Sequence, residues 1–232
     1  MVTLGADRRG ETAAAPSRRG RGRPPSPGLE DRRRAQIISA AVAVFTQRGY
    51  ADTTMADIAR QAGIGQGTLY RYVPSKRELL DLVFDYSVEE IIGAAEPALR
   101  LEEPPTTEAE VIARFDAAVH AMTELTRRRP ELLSLVAVEA AAMDEELKLR
   151  ILGLESTVAR MTARLCEDAQ EAGVLRRDAD PQVCGLLVTK MLLPVGLREV
   201  LGQVDAATRA RYRDAIFDFV RHALLARPEG RR

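Results

Sequence analysis

Tryptophan is absent, and Phe and Tyr together make up only 4% of the 232 residues. So few rings speak against a stacked aromatic cage for flat cationic ligands. Two Cys and two His show no metal-ligand spacing, no Gly-rich phosphate loop follows a strand, and no nucleophile elbow occurs. Neither a metal nor a cofactor is therefore expected, and catalysis finds little support. Cys166 and Cys184 fall in apolar helical stretches and read as buried thiols of a reducing cytoplasm, with a redox switch as the lesser alternative. His120 has Asp116 and Glu124 one turn to either side, which places it on a polar face. The apolar run VCGLLVTKMLLPVGL is interrupted by Lys190 and is only about fifteen residues long, short of the ~20 that span a bilayer. No continuous apolar stretch of a secretory signal opens the chain, so a cytoplasmic protein without a membrane partner is expected. Only three residues are Lys, against 31 Arg, a bias that genomic base composition explains as readily as function.

What is present is helix. No strand alternation and no internal repeat stand out, and 46% apolar content in a chain this long can bury a substantial core. The fold class expected is all-α, with about nine helices in a small N-terminal and a larger C-terminal domain. The first 28 residues are small, Pro, Gly and Arg, and read as a disordered tail. A head over 29–76, a helical body over 77–226 and a short tail over 227–232 complete the division. In the body, Ser75 and Glu78 form a capping box for a helix over about 75–99, and a breaker follows at Glu102-Glu103-Pro104-Pro105. Further helices are expected over about 107–128, 131–142 and 144–172, the last with Leu147, Ile151, Leu154, Val158, Met161 and Leu165 in steps of four and three. Asp180-Pro181 opens the next helix. It is apolar nearly all round and so must be covered on more than one side. A last amphipathic helix over about 206–226 offers Tyr212, Ile216, Phe219, Val220 and Leu224.

The densest information lies in residues 53–76, TTMADIARQAGIGQGTLYRYVPSK. Thr54 is a plausible N-cap, and Ile58, Ala59 and Ala62 form an apolar stripe. Gly63 is suited to positive φ at a helix end, and Ile64 plugs the angle to a second short helix over about 66–72. Leu69 faces inward there, while Gln66, Thr68, Tyr70, Arg71 and Tyr72 face outward with side chains suited to base edges or phosphates. This is a helix-turn-helix, whose second helix enters the DNA major groove.

Residues 31–82 as a whole resemble the DNA-binding domain of the tetracycline-repressor family. DRRRAQIISAAVAVFTQRGY looks like that family's first helix, with Ile37, Ile38, Ala41, Val44 and Phe45 on one face and Gly49 ending it. AGIGQGTLYRYV resembles its turn and recognition helix, and Pro74-Ser75-Lys76 the entry to its fourth helix. The chain departs from the pattern at Gly65, where a capping residue is usual, and at Gly67 inside the recognition helix. The resemblance implies that Gln66 and Thr68 reach bases, that Thr54, Tyr70, Tyr72 and Lys76 hold phosphates, and that Arg71 does either. The Gly65 and Gly67 pair itself reads either as a helix start that frays until DNA orders it or, at Gly67, as room for close backbone approach to the groove.

Charge distribution points the same way. Residues 1–76 carry 13 Lys and Arg against 6 Asp and Glu, so the head is basic while the whole chain is neutral. In the tail, Arg19-Gly20-Arg21-Gly22-Arg23-Pro24 resembles the core of an AT-hook, with Arg21 and Arg23 placed for the minor groove. A solvated tail that attracts phosphates non-specifically fits equally.

For the body, the resemblance implies a small-molecule pocket, with Phe115, Val119, Met122, Leu135, Glu139, Met143, Leu154, Val158 and Met161 as candidates. Core packing is the alternative for each of them, and Glu139 stands out as a carboxylate beside an apolar face. The resemblance also implies a homodimer through the last two helices. The expectation is a DNA-binding regulator, foremost a repressor on a palindromic operator that a small effector releases. The alternative is an effector-independent architectural DNA binder.

Overall fold

The computed structural model describes residues 28–100, 103–136, 145–200 and 205–225, with the backbone alone over 192–200. Arg21, Arg23, Glu139, Met143, the tail over 1–27 and residues 227–232 lie outside the described residues. Among those described there are nine helices and no sheet. They are α1 (Leu29–Arg48), α2 (Met55–Gln61), α3 (Gln66–Tyr72), α4 (Lys76–Leu99), α5 (Glu108–Arg128), α6 (Pro130–Ser134), α7 (Glu145–Glu171), α8 (Pro181–Val200) and α9 (Ala206–Leu224). The fold is all-α, opening with a helix-turn-helix. No described helix is long and apolar enough to cross a membrane.

Local chemistry sets the helix ends. Ser75 caps α4 by accepting the Glu78 N–H at 3.1 Å. The expected capping box is only half formed, because the Glu78 carboxylate accepts the Ser75 hydroxyl at 3.3 Å rather than its backbone N–H. Thr107 caps α5 and Asp205 caps α9. Asp180 accepts from the N–H groups of Gln182 and Val183, with Pro181 in the first turn of α8 as its fixed φ favours.

Two apolar clusters fill the interior. The first joins Ile37, Ile38, Ala41, Val44 and Phe45 of α1 to Ile58 of α2, Leu69 of α3, and Leu79, Leu80, Val83 and Phe84 of α4. It continues into Leu132 of α6 and into Leu147 and Leu154 of α7, so the first turns of α4 share a core with both head and body. The second collects Ala95 and Leu99 of α4, Val111, Ile112 and Phe115 of α5, Leu165 and Cys166 of α7, Cys184 and Val188 of α8, and Phe217, Val220 and Leu224 of α9. Burial pushes the Cys166 thiol up to about 12, which leaves little thiolate for redox chemistry.

α7 and α8 make the tightest contact. Small residues face each other across it: Ala159, Thr162 and Ala163 against Cys184, Gly185 and Thr189, all buried. At Gly185 a Cβ would lie 2.5 Å from the Ala163 nitrogen and 2.7 Å from the Ala159 oxygen. The two backbones therefore touch, and only glycine fits. On the other side of α8, Val183, Leu186 and Leu187 remain 50%, 45% and 47% exposed, and on α9 Tyr212 and Phe219 remain 43% and 49% exposed. The chain thus covers only part of its two last helices. The α7–α8 connection ties down the end of α9, since the Arg176 N–H donates to Leu224 O and its guanidinium to Ala223 O, each at 3.1 Å.

Gly185→Ala is expected to lower the thermal midpoint, with a loss of about 1–3 kcal/mol typical of overpacking. An unchanged melting curve would show that α8 can move off α7 without cost.

Candidate nucleic-acid interface

The helix-turn-helix is assembled from short-range signals. Thr54 accepts the Asp57 N–H at 3.2 Å, while the Asp57 carboxylate accepts the Thr54 N–H at 3.1 Å and the Thr54 hydroxyl at 2.5 Å. This is a complete capping box for α2. The same carboxylate pairs with Arg48 and Arg60 at 3.3 and 3.2 Å. Hydrogen bonds from the Thr54 side chain, then its backbone, hold the Asp57 carboxyl below the usual aspartate range, with the two arginines adding to them. Because its folded value is lowered, the box contributes above the ordinary aspartate range and is lost as the pH falls through that lowered value.

α2 ends as its sequence demands. Gly63 has φ 63°, its N–H donates to Arg60 O, and the Ile64 N–H donates to Ala59 O, the paired bonds of a glycine-terminated helix. Ile64 packs half-buried on the first cluster. Gln36 of α1 fixes the turn from outside by donating its amide to Ala62 O at 2.5 Å.

α3 then projects from this frame. Leu69 is fully buried beneath it, while Gln66, Gly67, Tyr70 and Arg71 are exposed and Thr68 is half-buried. Tyr72 differs from the expectation of an outward residue. It packs against the first cluster, with the Arg71 guanidinium 5.4 Å from its ring centroid. Gly65, the N-cap of α3, supplies no side-chain hydrogen bond, and a Cβ at Gly65 or Gly67 would meet nothing within 4 Å.

Two residues expected at phosphates are turned inward. The Thr54 hydroxyl proton is committed to Asp57. The Lys76 ammonium donates to Tyr50 O at 2.8 Å, Thr53 O at 2.8 Å and Ala51 O at 3.3 Å, and sits 4.4 Å from the Tyr50 ring centroid. All three of its N–H donors are thereby taken up. Lys76 ties the loop between α1 and α2 to the start of α4, and Tyr50 in turn packs on Phe45 at 5.5 Å.

The candidate pocket residues fall along the seam of the two clusters. Leu135 and Leu154 belong to the first, Phe115 to the second, and Met122 packs against both. Val158 lies against the first, and Val119 and Met161 lie against the second. A separate open groove of about 710 Å³ runs between α5 and α9, floored by Ile112 and Phe217 and rimmed by Glu108, Asp116, Arg213 and Arg221. Its two walls are about a hundred residues apart in the chain, and no local pattern announces it.

An exposed polar helix held on a buried three-helix frame is the head of a DNA-binding regulator, and sequence comparison agrees. The family model described as bacterial regulatory proteins, tetR family, matches residues 37–83. A second, described as the tetracyclin repressor-like C-terminal domain, matches residues 108–195. The chain belongs to the tetracycline-repressor family of transcriptional regulators. Among its relatives is an uncharacterized HTH-type transcriptional regulator, YhgD, from Bacillus subtilis. It is 26% identical over 161 residues, which cover 69% of this chain and 81% of that protein. The HTH-type transcriptional activator FasR from Mycolicibacterium smegmatis is 36% identical over 117 residues, half of this chain and 52% of its own. The crystal structure of a TetR regulator from Chloroflexus aurantiacus superposes with a TM-score of 0.69 at 19% identity, over 85% of this chain and 98% of the other. That similarity speaks for the fold.

Two substitutions test the local reading. Lys76→Met is expected to lower the thermal midpoint through the loss of hydrogen bonds to three carbonyls, each contributing on the order of 1 kcal/mol. A stable variant that had lost only DNA affinity would restore Lys76 to the phosphates. Gly67→Ala is expected to stabilise the free protein by up to about 1 kcal/mol, since its Cβ meets nothing and alanine favours helix. The same methyl group would stand between α3 and the groove, so affinity for DNA should fall while the melting temperature rises.

Proposed function

We propose that the chain is a one-component transcriptional repressor, cytoplasmic, that binds a palindromic operator as a homodimer and is released from it by a small molecule. The observation that carries this reading is the exposed polar surface of α3 on a helix anchored by Leu69. Gln66 and Thr68 read bases, the former through an adenine edge and the latter through a thymine methyl. Tyr70 and Arg71 hold phosphates, Gly67 lets the backbone approach, and Tyr72 orients Arg71 from its half-buried position. Thr54 and Lys76 act at one remove, by fixing α2 and the α1–α2 loop. Arg21 and Arg23 add either minor-groove contacts or a diffuse attraction to phosphates.

The exposed Val183, Leu186 and Leu187 of α8, with Tyr212 and Phe219 of α9, support pairing with a second copy. Two such helix pairs make a four-helix interface with an isologous contact. That arrangement sets two α3 helices roughly 34–36 Å apart, one DNA turn. The effector site proposed is the seam beside Phe115, Val119, Met122, Leu135, Leu154, Val158 and Met161, together with Glu139 and Met143. An effector that prefers a more widely spread dimer shifts the population toward it, by as much as its affinities for the two states differ. The relative from Mycolicibacterium smegmatis is an activator, so the sign of regulation follows from where the operator lies against its promoter.

Selection of bound sequences from random duplex DNA at near-physiological salt tests this reading. An enriched inverted repeat is expected, and Gln66→Ala should relax preference at one position of each half-site. Binding without enrichment, with steep salt dependence, would favour the architectural alternative.

A further inference from the structure

Five charged side chains alternate in sign across the contact between α4 and the first turns of α7. Glu146 accepts from Arg77 at 2.9 Å, and Arg77 also reaches Asp81 on its own helix at 3.3 Å. Arg150 donates to the other oxygen of Asp81 at 2.9 Å and to Asp85 with its second terminal nitrogen. Its guanidinium lies 4.4 Å from the ring centroid of Phe84, which is itself buried in the core shared by head and body. Arg150 therefore grips residues 81, 84 and 85, which one face of a helix presents together.

We propose that Arg150 is a positioning residue for DNA binding, which fixes α4, and with it the helix-turn-helix, against the body. The inference rests on the proposed dimeric reading. Three observations carry it. Arg150 is the more buried member of each pair, at 26% exposure against 33% for Asp81 and 62% for Asp85. It combines a forked contact to two carboxylates with stacking on an aromatic ring, a geometry open to arginine and closed to lysine. Its removal leaves Asp81 and Asp85 one turn apart on α4, where like charges repel. Isolated surface pairs contribute little, but here the ladder lies where α4 leaves α3 behind and meets α7. An angular change at that point is carried to the far end of the head.

The test is spacer dependence. Full-length wild type and Arg150→Met, which keeps packing over Phe84, are titrated with the selected inverted repeat and with repeats whose centre is one or two base pairs longer or shorter. Wild type is expected to lose roughly tenfold or more in affinity on the altered spacers, because rigidly held heads cannot both engage. Arg150→Met should lose less than about threefold between spacers, while binding the native spacer more weakly than wild type. The Asp81→Asn/Asp85→Asn double variant should behave alike, and adding Arg150→Met to it should change little further. A variant with the same spacer dependence as wild type overturns the inference, whatever its melting temperature. Wild type that binds no inverted repeat overturns the proposed function, and the positioning role with it.

Discussion

A helix of seven residues cannot hold itself in water. Nucleation is unfavourable, and isolated helices shorter than about 12–15 residues are marginal even in alanine-rich sequences. Both α2 and α3 have seven, and every other feature of the head follows from that constraint. Ile58 and Leu69, each at 0% exposure, anchor the two short helices on α1 and α4. A capping box, a glycine-terminated end and the Gln36 amide then remove what freedom remains at the turn. The reading surface of α3 is thus a property of the frame. Its polar residues are free to face outward because one leucine and the turn already fix the helix.

The long helix α4 belongs to both parts of the molecule. Its first turns complete the core beneath α1, α2 and α3, and its last turns pack on α5. Lys76 fastens its start to the α1–α2 loop, and the ladder around Asp81 fastens its next two turns to α7. Against this, the α7–α8 contact at Gly185 leaves no room for adjustment. Relative movement is therefore easier between α4 and the body, where side chains meet in a core and a charge ladder, than between α7 and α8, where backbone meets backbone.

Much of the head was legible because its determinants are local. Thr54 and Gly63 act within a few residues of where they stand, Ile64 and Leu69 turn inward as their spacing dictates, and each sits where its pattern places it. Lys76 reads from the sequence as a phosphate ligand, a cation beside a helix start, because the carbonyls it meets lie 23 to 26 residues earlier in the chain. The Arg150 contact, bridging 65 and 69 residues, left no trace in periodicity, which places an arginine on a surface without naming what it meets. Of the last two helices, one reads as apolar nearly all round and the other as amphipathic, yet composition alone does not separate the face that each buries within the chain from the face left open. For the expected pocket, the pattern found the seam between the clusters but has no means of distinguishing core from cavity.

One consequence follows from the start of α3, which has glycine at its cap and glycine again two residues on. Whatever conformational freedom the two glycines still leave this formed helix start is lost against a groove, and that cost is the same on every base sequence. It lowers affinity for correct and incorrect sites alike and leaves their ratio untouched. What changes is residence time. Complexes on wrong sites break sooner, the search along DNA is less often arrested, and the bound state on the right site turns over faster when conditions change.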